Sequence, residues 1–125
     1  MNKRVQEKMF TFTVYVDRMI GSNSLGDKTT ERIKLRGYLK EAMKIVTDSL
    51  GKEVTSSAQV YLSGADMSQV DYKDKISVGL TKTEQDAEGN SIEVFIPILT
   101  DKELIRRDVF YRPNNEPDVG VLYLP

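Results

Sequence analysis

Alternation of apolar and polar residues runs through most of this chain. Within 8–16, Phe10, Phe12, Val14 and Val16 fall on one side while Thr11, Thr13 and Tyr15 fall on the other. That is the period of a half-buried strand. The same period predicts strands over 53–62, carried by Val54, Ala58, Val60 and Leu62, and over 75–83, 91–99, 103–111 and 119–124. Residues 17–30 interrupt the pattern around Gly21-Ser22-Asn23-Ser24-Leu25-Gly26 and predict one long polar loop.

Residues 32–47 satisfy two periods. Leu35, Leu39, Ala42, Met43 and Val46 fit helical spacing, whereas Ile33, Leu35, Leu39, Glu41, Met43 and Ile45 fit alternation, and Gly37 is unfavourable inside a helix. Asp48-Ser49-Leu50-Gly51-Lys52 reads as a turn leading into 53–62, so a hairpin needs no further assumption and 32–47 is expected as a strand. Taken alone, Leu39–Val46 fits either structure. A second hairpin, 75–83 with 91–99, turns around Asp86-Ala87-Glu88-Gly89-Asn90, where glycine supplies a positive φ. Pro97 has no N–H for a ladder and marks a strand end or an edge. Thr100-Asp101-Lys102-Glu103 has the form of a capping box and allows a single helical turn. Short strands at this spacing predict a mainly β fold: a small single-domain β-barrel or sandwich, with long inserted loops and at most one short helix.

A chain of 125 residues, 39% apolar and 30% charged, builds one core and a well-solvated surface. No apolar run approaches the roughly 20 residues of a membrane-crossing helix, so no membrane partner is expected. Met1–Lys8 lacks the apolar stretch of a secretory signal. There is no histidine and no cysteine. Serine triads, cysteine–histidine pairs, thiolate metal sites and disulfides are thereby excluded. Asp66, Asp71 and Asp74 lack the ligand spacing of a calcium loop. The expectation is a chain that is not an enzyme and carries no cofactor and no metal.

Charge is unevenly spread. Residues 1–48 hold ten Lys/Arg and six Asp/Glu, whereas 49–125 hold eight and thirteen. This asymmetry suits a subunit that meets copies of itself or an unlike partner. Arg32, Lys34, Arg36, Lys40 and Lys44 all carry even numbers, so on one strand they share a face. Phosphate contacts there would make binding salt-dependent, but lysine and arginine are also the common residues of a solvated strand face, and that reading weighs more.

Gly21-Ser22-Asn23-Ser24-Leu25-Gly26-Asp27-Lys28-Thr29 approaches a phosphate-binding loop. The motif needs lysine directly after the second glycine, because that lysine and the loop amides enclose the phosphates together. Asp27 displaces the lysine and puts a carboxylate where phosphate would sit. The segment therefore reads as turn residues.

Gly51-Lys52-Glu53-Val54-Thr55-Ser56-Ser57-Ala58-Gln59-Val60-Tyr61-Leu62, followed by Val70-Asp71-Tyr72-Lys73-Asp74-Lys75-Ile76, resembles the head-closure (head–tail connector, stopper-type) proteins of long-tailed bacteriophages. The 17–30 segment and the Asn114–Asp118 turn have no counterpart in that pattern. The resemblance implies a small barrel assembled as a homo-oligomeric ring in the virion neck, closing the portal DNA channel after packaging and offering the tail its attachment surface. Its implied partners are itself, a portal or adaptor protein, a tail-completion or tail-terminator protein and, transiently, packaged DNA, with assembly in the host bacterial cytoplasm. Ser22, Asn23, Ser24, Leu25, Gly26, Asp27 and Lys28 are then the expected partner- or lumen-facing loop, and Arg32, Lys34, Arg36, Lys40 and Lys44 the expected contact face. Two alternatives stand beside this one. The first is a tail-completion or tail-tube type phage protein. The second is a nucleotide- or nucleic-acid-binding module using the Gly21–Thr29 loop or the basic strand.

Overall fold

The structure is a computed structural model that describes residues 8–22, 26 and 28–125. It is mainly β, a single small domain of antiparallel strands. In chain order the elements are β1 (Phe12–Ser22), β2 (Lys28–Lys40), β3 (Lys44–Thr47), β4 (Glu53–Ser56), β5 (Ala58–Ser63), the one-turn helix α1 (Gly64–Met67), β6 (Lys75–Gln85), β7 (Ser91–Glu103), β8 (Arg106–Tyr111) and β9 (Pro117–Leu124). Seven strands form one sheet in the order β7-β6-β1-β2-β5-β9-β8, while β3 and β4 pair by themselves.

Alternation places the core. Val14 and Val16 of β1, Leu35 and Leu39 of β2, Val60 and Leu62 of β5, Ile76 and Val78 of β6, and Leu122 and Leu124 of β9 are buried together on one face. The short helix covers this face. Ser63 caps it by accepting from the Asp66 amide, and Met67 is driven against β9 at Gly120, where an added Cβ would stand 2.1 Å from Met67 Cγ.

The edge strands β7 and β8 are joined only by Leu104 and Ile105. A flat sheet of seven strands would hold its edges about 29 Å apart, whereas Glu103 to Arg106 spans at most about 11 Å. The sheet is therefore curled until two corners meet. It does not close, because no ladder joins β7 to β8, and this corrects the barrel expectation. Closure fails because β7 carries extra residues opposite β6, with register shifts at Ile76/Val78 and Val78/Gly79. Its distal half departs with β6 as a hairpin arm.

Several expected boundaries move. Residues 17–30 are not one long loop: Asp17 pairs with Arg32, Arg18 with Glu31, Met19 with Thr30 and Ser22 with Lys28, so β1 and β2 continue as a hairpin. Backbone pairing has no need of apolar alternation, and the charged Asp17, Arg18, Glu31 and Arg32 stand in the paired positions, which is why the pattern fades there. The first strand starts at Phe12 rather than at residue 8. The 32–47 strand is two strands, with Glu41–Met43 between them, where Gln59 Nε2 donates to the Ala42 carbonyl at 2.8 Å and holds the chain out of the ladder. Thr100–Glu103 forms no helical turn; Asp101 adopts φ 48 and donates its amide to Ser77 Oγ at 3.0 Å, a bulge within β7. Residues 103–111 are split at Leu104-Ile105.

The Asp48–Lys52 and Asp86–Asn90 turns are built alike. In each, aspartate Oδ1 accepts two amides, from Leu50 and Lys52 or from Glu88 and Asn90, and glycine follows at φ +81 or +84.

Candidate functional site

Beyond Gly79, β6 and β7 leave the core and bend across the opposite face of the sheet. Gly79 makes the bend. An added Cβ would lie 2.1 Å from Ile96 O and 2.8 Å from Phe95 Cε2, so only glycine lets β7 come this close. Thr81, Glu93 and Phe95 look inward: Thr81 bonds to Thr13, Phe95 packs on Tyr15 and Glu93 pairs with Lys34 at 2.9 Å. The other side of the arm presents Leu80, Ile92 and Ile96 outward, with Ile98 at the bulge, each more than two-fifths exposed. β7 is also an edge strand, so its outer backbone groups have no neighbour in the sheet.

The basic face is only partly available. Arg32 forks onto Asp17, with Nε 2.8 Å from Oδ1 and Nη2 3.1 Å from Oδ2, and lies 4.8 Å from the centre of the Tyr15 ring. Hydrogen bonding to Asp17 raises its pKa, and hydrogen bonding to Glu93 raises that of Lys34. Arg36, Lys40 and Lys44 are exposed and have no ion pair among the described residues. Lys44 also stands apart from the other four, because β2 ends at Lys40 and Lys44 opens β3 in the small hairpin opposite Ser56. Five even numbers mark one face only while the strand stays unbroken.

Beside these free cations, Tyr38 and Tyr61 are cross-strand partners with ring centroids 6.1 Å apart, and Phe12 meets Tyr38 edge-on. Met9, Tyr38, Lys40 and Tyr61 line a shallow cleft of about 260 Å³. The arm's outer ridge and this aromatic cleft were not singled out from the sequence. Their signals are present, however: apolar residues on both sides of 91–99, and Tyr38 set between Arg36 and Lys40.

Of the expected loop, Ser22 and Lys28 are paired strand residues and Gly26 has φ +84; Asn23, Ser24, Leu25 and Asp27 lie outside the described residues. The segment that follows is the strand β2, so the helix whose N-terminus a phosphate loop requires is replaced by extended chain. Among the described residues no three acidic side chains converge to hold a metal. Asp74 is instead turned inward, accepting from the Asp71 amide at 2.8 Å and facing Arg18 at 4.0 Å.

Comparisons with protein-family models, with curated proteins and with solved structures give no match to this chain.

Proposed function

We propose that the chain is a ring subunit of the bacteriophage neck that closes the portal channel and serves as the tail-attachment surface. It works through surfaces and not through bond-making chemistry. The observation that carries this reading is the β6–β7 arm, an edge ribbon whose apolar side faces away from its own sheet. Contiguous apolar surface on an exposed edge suits a protein contact and is a liability otherwise. The sequence resemblance over 51–62 and 70–76, the uneven charge, and Arg36 and Lys40 with no ion pair among the described residues support the same reading. A tail-completion or tail-tube role draws on the same arm and differs in which ring it meets.

The test is direct. Purified chain is mixed with isolated portal rings of its phage and with tail rings, and the complexes are imaged by electron microscopy. Added ring density on the portal is the expected outcome. Binding to tail rings alone favours the tail reading, and binding to neither overturns both.

A further inference from the structure

We infer that the arm of one copy docks on the Arg36–Lys40 face of the next, a head-to-tail contact between unlike surfaces. The inference rests on the assembly reading above and adds the surfaces that meet.

The arm ends in three carboxylates, Glu84, Asp86 and Glu88. Asp86 accepts the turn amides, Glu84 has the adjacent Lys82 at 3.5 Å, and Glu88 has no ion pair among the described residues. The opposite patch carries Arg36 and Lys40 without a counter-ion among the described residues, and Tyr38 and Tyr61 between them line the cleft. Acid with aliphatic surface on one patch faces base with aromatic surface on the other.

The two do not meet within one chain. The arm touches β2 at Lys34, about 20 Å along an extended strand from Lys40. That internal contact already uses the chemistry proposed between copies, Glu93 on Lys34 and Phe95 on Tyr15. The ridge of Ile92 and Ile96 points away from it and is left for a neighbour. Because the two patches differ, the contact is heterologous and closes into a ring or runs on as a filament, depending on the rotation between copies.

Two variants test this in the full chain by sedimentation velocity. One carries Glu84→Lys and Glu88→Lys; the other carries Arg36→Glu and Lys40→Glu. Wild-type protein is expected to self-associate when concentrated at low salt, with the association constant falling about tenfold as salt screens the pairs. Each variant alone is expected to stay monomeric, because like charges then face each other. An equimolar mixture restores assembly, since every arm again meets a face of opposite sign, and that rescue also shows both variants folded. Assembly of either variant alone, or a mixture that stays monomeric, overturns the contact. Wild-type protein that remains monomeric overturns it too, while the portal-binding test decides the neck reading separately. A single-stranded oligonucleotide that binds the Arg36–Lys40 face and leaves wild-type protein monomeric makes the patch a nucleic-acid site and also overturns the contact.

Discussion

The ring of Phe95 on β7 meets the ring of Tyr15 on β1 edge-on, with centroids 4.8 Å apart and planes at 87°. The contact reaches across β6, and it exists because the intervening residue is Gly79. One aromatic pair and one absent side chain thus fix the arm against the sheet.

Phe95→Ala is expected to lower stability by about 1–2 kcal/mol, from the lost ring pair and its partial burial. Gly79→Val forces a branched side chain against the Ile96 carbonyl. Its effect is expected to concentrate in the arm: amide hydrogen exchange over 80–85 and 91–96 speeds up while the β5–β9 pair keeps its protection. Equal loss of protection in both regions would show that the arm is not a separate unit.

Gly120 and Met67 form a second close pair. Gly120→Ala overpacks the contact and costs about 1–3 kcal/mol, and Met67→Ala leaves a cavity costing about 2–5 kcal/mol. The double variant is expected to be more stable than the sum of the two losses, because the new methyl occupies space the methionine vacates. Denaturant unfolding of the four proteins measures the coupling, and strict additivity would refute the contact.

Asp74 is 3% exposed, accepts the Asp71 amide and faces Arg18. Asp74→Ala leaves the Asp71 amide without its acceptor and removes the carboxylate that faces Arg18, at a cost of about 1.5–3 kcal/mol. Asp74→Asn retains an acceptor and is expected to cost less. Thermal melts rank the two, and an alanine variant equal to the asparagine one would remove the hydrogen bond from the account.

Lys75 and Glu103 pair at the end of the β6–β7 ladder opposite the arm, 2.8 Å apart. The hydrogen bond from Lys75, then its charge, holds the Glu103 carboxyl below the usual glutamate range. Because the folded value is the lower one, the pair stabilises the fold above the unfolded glutamate value of ~4.3 and loses that contribution as pH falls through the folded value. Wild-type protein is therefore expected to exceed Glu103→Gln in stability near neutrality, with the difference vanishing in acid. A difference that grows as pH falls would reverse the sign and refute the pairing.

Strand identity was legible wherever one face is buried. Phe12, Val14 and Val16, or Val60 and Leu62, must all point inward, and the period of two records this in the residues themselves. The Asp86–Asn90 and Asp48–Lys52 turns were equally legible, because an aspartate that accepts its own turn's amides and a glycine at positive φ are local requirements. Asp17–Ser22 and Lys28–Thr30 escaped because backbone pairing and charged cross-strand partners such as Asp17 and Arg32 carry the hairpin there without apolar alternation. The basic stripe follows one strand from Arg32 to Lys40 and stops there, since Lys44 belongs to the next strand. Local numbering aligned Arg32, Lys34 and Arg36, but distant Asp17 and Glu93 neutralise the first two, and Gln59 helps end the strand before Lys44.

The chain by itself determined which residues alternate, where tight turns fall and which chemistries its lack of histidine and cysteine excludes, since these depend on neighbours a few positions away. Only the tertiary structure decided that the sheet stays open, that the arm folds over one face with its isoleucines outward, and which cations have no ion pair among the described residues. Those outcomes depend on close approaches between residues far apart in sequence, such as Gly79 with Ile96 and Lys34 with Glu93, and a linear pattern does not encode them.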